Sequence, residues 1–203
     1  MRPVSMPPLG RALAIGAVFA IASAAPFLWA SYRRSSPASG ASSAPPPILG
    51  AAPPFELTDA SGRRVASRDL SGPWIASFLF TRCDRQCPMM TARMKAVAAR
   101  VPGVRLVSFS VDPRDRPSDL AAYSRFHRAD WLFLSGKGGE VRKLCREGFK
   151  LAVSDGEGEI LHSGKLVLVD GDGRIRGYFD ADDDASIEAL EAQGRALARL
   201  GDS

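Results

Sequence analysis

The chain has 203 residues, with 27 Lys and Arg against 22 Asp and Glu, 45% hydrophobic residues and three cysteines. This composition excludes a disordered, collagenous or disulfide-stapled chain and leaves room for one globular domain plus an appendage. Most of the net charge of +5 comes from Arg2, Arg11, Arg33 and Arg34, which no acid accompanies before residue 51, so the near-neutral remainder offers no basic stripe to a nucleic acid.

From Ala12 to Ala30 the chain is apolar and uncharged, with Arg11 before it and Arg33 and Arg34 after it. At about 1.5 Å per residue this run spans roughly 28 Å, close to a bilayer core, and Trp29 and Tyr32 fall where interfacial aromatics belong. Ala22-Ser23-Ala24 also fits a signal-peptidase site, but the apolar run continues past it. Residues 1–34 are therefore expected to be a transmembrane anchor, with a cleaved signal peptide as the alternative, and the amino terminus inside. Residues 35–53 are rich in Ser, Ala and Pro and uncharged, as a flexible linker would be. The folded domain is expected over 54–203.

Within that domain, apolar runs of strand length alternate with stretches of helical period. Residues 73–80 (PWIASFLF), 104–111 (VRLVSFSV), 131–134 and 165–169 (KLVLV) read as strands, several of them apolar throughout and so covered on both faces. Met90, Met94, Val97 and Val101 mark one helix; Val141, Leu144 and Cys145 mark a second; Ile187, Leu190, Gly194 and Leu197 mark a last one, which begins after Asp182, Asp183 and Asp184. Asp170 to Gly173 reads as a hairpin turn into RIRGYF, because Arg174 and Ile175 stand where a calcium loop needs a ligand and a glycine. The pattern predicts a three-layer α/β domain around a central β-sheet.

The chemistry concentrates in TRCDRQCPMM, after the most apolar strand and at the start of a helix. Pro88 suits a first helical turn, which places Cys87 at the helix amino terminus, where the helix dipole with Arg82 and Arg85 would favour its thiolate. Cys83 and Cys87, four residues apart, can form a disulfide or hold a soft metal between them. Two thiolates are too few for structural zinc, whereas Cu(I) accepts two thiolates and an imidazole. The chain has two histidines to supply it. His127, in SRFHRAD, reads as a solvated surface residue at a helix end; His162 stands at the mouth of the loop that enters KLVLVD. Met90 and Met94 share the core stripe of Val97, and Cys145 shares that of Val141 and Leu144 and reads as a bystander. Asp112-Pro113-Arg114-Asp115 follows a strand's carboxyl end and reads as a turn.

FELTDASGRRV, TRCDRQCP, VSFSVDPRDRPSDLAAY, the Gly148-Phe149 pair and HSGKLVLVDGDGRI occur in an order and spacing that resemble the SCO/SenC family over about residues 54–180. The resemblance implies a thioredoxin-like fold on a membrane tether. It also implies copper binding through the two cysteines of a CxxxCP motif and a distal histidine, which by matched position are Cys83, Cys87 and His162. Where thioredoxin-type oxidoreductases carry a proline loop facing their cysteines, this chain has Leu161-His162-Ser163. The implied function is that of a metallochaperone for the copper centre of cytochrome c oxidase subunit II, or of another copper enzyme. It would carry Cu(I), with Cu(II) as a second state, and an upstream copper chaperone or thiol reductant would be a further partner. The implied location is a bacterial inner membrane, single-pass, with the domain facing the periplasm. Two alternatives use the same residues: a thiol-disulfide reductase with Cys83 and Cys87 as its redox pair, and a copper or redox sensor.

Overall fold

The computed structural model describes residues 46–152 and 164–201, all within one compact unit, Ser43–Ser203. The anchor expected over residues 1–34, most of the linker, and His162 lie outside the described residues. Among the described residues no helix is long and apolar enough to cross a membrane.

The chain forms β1 (Gly50–Ala51), β2 (Glu56–Asp59), β3 (Arg64–Ala66), β4 (Trp74–Leu79), α1 (Gln86–Arg100), β5 (Arg105–Ser110), α2 (Pro117–His127) and β6 (Leu132–Ser135). It continues with α3 (Glu140–Lys143), which runs into a π-turn over Leu144–Gly148, then β7 (Lys165–Val169), β8 (Arg174–Asp180) and α4 (Asp184–Gly201). One mixed sheet holds the strands in the order β1-β8-β7-β4-β5-β6-β2-β3. The pairs β4–β5 and β5–β6 are parallel, and β4–β7, β7–β8, β1–β8, β2–β6 and β2–β3 are antiparallel. The expected strands and helices are all present, in a thioredoxin-like α/β arrangement.

All six residues of β4 are buried, because β4 lies in the middle of the sheet with helices over one face and a second apolar layer over the other. Ile75 and Leu79 point into a core shared with Met90, Met94 and Val97 of α1, Leu120 of α2 and Leu190 of α4. Ala76 and Phe78 point the other way, onto Phe109, Phe149 and Cys145. The period of two along the strand and the continuous apolar run are thus two aspects of one fact, burial on both faces. At Ser77 the hydroxyl meets Ser108 Oγ of the parallel neighbour at 2.8 Å, and Trp131 Nε1 donates to the same oxygen at 2.9 Å, so no buried hydroxyl is left unpaired at this crossing.

The sheet begins earlier in the chain than the composition suggests. Gly50 and Ala51 pair with Ile175 and Arg174, and Arg176, nearly buried in β8, donates from Nη1 to the Pro46 carbonyl, so residues 46–53, counted with the linker above, lie against the domain edge. The Ser-Ala-Pro composition hid a two-residue strand that is held by backbone bonds and one arginine.

Asp170 organises that edge. Its carboxylate accepts from the amides of Asp172 and Arg174 at 3.0 and 2.8 Å, from Arg174 Nε at 2.8 Å and from Arg176 Nε at 2.7 Å. Gly173, with φ +76°, closes the turn by donating to the Asp170 carbonyl, so Asp170 to Gly173 is the expected hairpin turn. Burial pushes the Asp170 carboxyl up, but hydrogen bonds from Arg174 and Arg176 outweigh it and hold the group below the usual carboxylate range. A depressed carboxyl contributes stability that is full above about pH 4 and is lost as pH falls further. Asp170→Asn should therefore destabilise the domain by about 3 kcal/mol at neutral pH, because it leaves the Arg176 guanidinium buried without its counter-ion. The gap between variant and parent should narrow as the acid limb is approached, and urea unfolding at neutral pH and near pH 3 measures both.

Candidate metal and thiol centre

The site lies at the edge of the sheet where β4 and β5 end, the edge where α/β proteins gather their chemistry. After Leu79 the chain turns through Phe80 to Arg85 and enters α1 at Gln86. Pro88 occupies the third helical position, where the missing amide has no partner to lose. Cys83 Sγ accepts the Cys87 amide at 3.3 Å, so one of the unpaired amides of the helix start is directed at the first sulfur.

The two thiols differ in setting. Cys87 is fully buried and sits on the helical stripe of Met90, Met94 and Val97, whereas Cys83 is half-buried and open to a surface groove. Burial pushes the Cys87 thiol well up from its ordinary range. This overturns the expectation that the helix terminus and the arginines would favour a thiolate there. Desolvation dominates at that sulfur, and Arg82 turns away to Asp112 at 2.6 Å and Asp115 at 3.1 Å.

Those two aspartates do more than make a turn. Asp115 accepts from the Thr81 amide at 2.8 Å, from Thr81 Oγ1 at 2.7 Å and from Ser110 Oγ at 2.6 Å, with its own side chain fully buried. Asp112, equally buried, binds Arg82 and takes the Arg114 amide at 2.9 Å and the Arg114 guanidinium at 2.9 to 3.3 Å. Burial pushes the Asp112 carboxyl up, yet the hydrogen bonds from Arg114 and Arg82 hold it well below the usual carboxylate range. Together the pair fix Thr81 and Arg82, the residues that lead into Cys83. Sequence reasoning missed this role, since nothing local in DPRD signals a contact made thirty-four residues away.

The third expected ligand, His162, is outside the described residues, and among the described residues no three ligating side chains converge. The adjoining backbone is described. Because β7 runs antiparallel to β4, with Trp74 opposite Val169 and Ala76 opposite Val167, the start of β7 lies at the edge from which the cysteine loop departs. Gly164 lies close to the Gln86 side chain, such that a Cβ added at Gly164 would stand 3.0 Å from Gln86 Nε2, and its carbonyl accepts from the Ala181 amide at 2.9 Å. His127 is half-buried, not simply solvated: its ring lies 4.3 Å from that of Tyr123, and it lines the same groove as Cys83. Met90 and Met94 are core residues as expected, while Met89 is 61% exposed. Cys145 is buried in the π-turn, and burial pushes its thiol up to about 12.

A thioredoxin-like domain with a CxxxCP thiol pair at the carboxyl edge of its central strands is the class that fold and site define. The family model described as SCO1/SenC matches residues 47–197, and the chain belongs to that family. It is 34% identical over 134 residues to the SCO1 protein homolog of Bacillus subtilis (strain 168), covering 60% of this chain and 69% of that protein. It is 31% identical over 142 residues to a Stutzerimonas stutzeri protein provisionally named as copper-binding, covering 64% and 70%. Among solved structures, BsSco, described as a member of the Sco family of cytochrome c oxidase assembly proteins with a disulfide switch, is 27% identical with a TM-score of 0.68, covering 76% of this chain and 98% of that one.

The burial difference yields an expected labelling order. In the native reduced chain Cys83 should react with a thiol reagent at least about ten-fold faster than Cys87 or Cys145. Cys145→Ala should leave that rate unchanged and cost about 1 kcal/mol of stability. Mass spectrometry of partially labelled protein reads the order, and equal labelling of Cys83 and Cys145 would contradict the assigned burial.

Proposed function

We propose that this chain is a membrane-tethered copper chaperone that holds Cu(I) with Cys83, Cys87 and His162 and delivers it to the binuclear copper centre of cytochrome c oxidase subunit II. The observation that carries the reading is the approach of Gly164 to Gln86. Gly164, the first described residue after Leu161-His162-Ser163 in the sequence, lies close to the side chain of Gln86, the residue before Cys87, at the edge where β4 ends and β7 begins. Soft thiolates and an imidazole suit Cu(I); Cu(II), which prefers more nitrogen and oxygen ligands, is the weaker second state. Family membership and the relatives named for copper binding and oxidase assembly support the same assignment.

The remaining parts of the reading follow from the leader. The apolar run from Ala12 to Ala30 anchors the chain in a bacterial inner membrane, the Ser-, Ala- and Pro-rich stretch from residue 35 links it to the domain, and the domain faces the periplasm. A thiol reductant is a required partner, because a disulfide between Cys83 and Cys87 removes both sulfur ligands; an upstream copper chaperone supplies the metal.

One feature favours a second reading as a thiol-disulfide reductase of oxidase cysteines. Cys83 is accessible and Cys87 is buried beside it, as in an attacking and resolving pair. The two readings use His162 differently. His162→Ala in the full chain should lower copper affinity by more than the roughly ten-fold that loss of a supporting residue outside a ligand set already causes. It should also impair oxidase assembly while leaving dithiol and disulfide interconvertible, whereas Cys83→Ser abolishes both. Copper titration against a chelator, thiol-exchange rates and oxidase activity in cells measure these outcomes. Full oxidase assembly by His162→Ala would put the reductase first.

A further inference from the structure

A groove of about 500 Å³ opens beside Cys83. Cys83 and Pro88 form one wall and Ala122, Tyr123, Phe126 and His127 of α2 form the other. Its volume is in the range of recognition sites, and its walls are chiefly apolar. Phe126, in the groove wall, is 83% exposed, and Met89, which follows Pro88, is 61% exposed; a bare aromatic ring and a bare methionine are residue types that anchor protein interfaces.

The charge around this groove is predominantly cationic. In sequence Arg125 and Arg128 flank the lining residues Phe126 and His127, Arg85 follows the lining residue Asp84, and all three arginines are exposed. Lys95 reaches over from α1 to donate to the His127 carbonyl at 3.2 Å. The charged side chains that line the groove itself are Arg82, Asp84 and Asp119: Arg82 is paired with Asp112 and Asp115, and Asp119 is held by Arg116 at 3.3 Å, so the cations named above stand on its rim. The buried Asp112 and Asp115 are already matched by Arg82 and Arg114.

Ligand exchange needs the acceptor's own ligating atoms at the donor's sulfur, so the residues flanking them must lie along the surface next to Cys83. We infer that this groove docks the copper-accepting protein by an extended segment that carries acidic residues around an apolar anchor. The anchor inserts between Phe126 and Pro88, and the acids meet Arg85, Arg125 and Arg128. The inference rests on the chaperone reading for the identity of the process, and on groove and charge alone for the chemistry of the segment. A cationic segment is repelled, which gives the selection its sign.

The probe is a short fluorescent peptide alternating glutamate with phenylalanine and leucine, titrated by anisotropy against the full reduced chain, beside a counterpart with lysine for glutamate. The acidic peptide should bind at least about ten-fold more tightly than the lysine peptide, and the margin should shrink at high salt. Phe126→Asp should weaken its binding by about ten-fold or more, and Arg125→Glu by a few-fold. Both are exposed positions where substitution leaves the core intact. Equal binding of the two peptides, or unchanged binding to Phe126→Asp, would overturn the inference. In cells, Phe126→Asp should bind copper as the parent does and yet fail to support oxidase assembly; full assembly by that variant would also overturn the docking role while leaving the chaperone reading in place. A parent chain that takes up no copper would instead remove the chaperone reading, and the peptide titrations would still decide the groove.

Discussion

The antiparallel pairing of β7 with β4 is the constraint on which the rest of the site depends. β4 delivers the cysteine loop at its carboxyl end, and β7 receives the chain at its amino end; only opposed directions bring those two ends to one edge. With β7 parallel, residue 164 would sit at the far edge with the turns at Gly103 and Gly173, and no side-chain chemistry could join it to Cys83. The pairing is held by continuous burial of Ile75, Ala76, Val167 and Leu168, so the geometry of the corner depends on apolar packing several residues beneath it.

A second layer of control is electrostatic. Two buried carboxylates, Asp112 and Asp115, collect the amide and hydroxyl of Thr81, the hydroxyl of Ser110 and the guanidinium groups of Arg82 and Arg114. Buried carboxylates persist only when their hydrogen-bonding capacity is filled, and here the donors come from the segment that must be held still. Positive charge that could have faced the sulfurs is thereby committed beneath the loop, and the buried sulfur of Cys87 is governed by desolvation.

Much of this was legible in the residues. Runs such as WIASFLF and KLVLV can hardly be anything other than buried strands, and a CxxxCP segment after one of them marks a thiol or metal corner. The orientation of the two thiols was legible too, had the stripe of Met90, Met94 and Val97 been extended back three positions to Cys87. What was not legible is non-local. β1 is two residues of low-complexity chain recognised only by β8, and the Asp115 to Thr81 contact leaves no local pattern. His127 read as a surface residue because one sequence window shows neither Tyr123 beneath its ring nor the groove it shares with Cys83.

The grip of Arg176 on Pro46 also fixes the path by which the described chain enters the sheet. β1 runs antiparallel to β8, so the chain that precedes it heads toward the carboxyl end of β8, which the register of β7 places at the cysteine edge. Backbone pairing to β8 and one buried guanidinium thus seat residues 46–51 along the sheet, on the opposite side of β8 from β7, so the last strand of the sheet is closed by the segment that precedes the domain's first long strand.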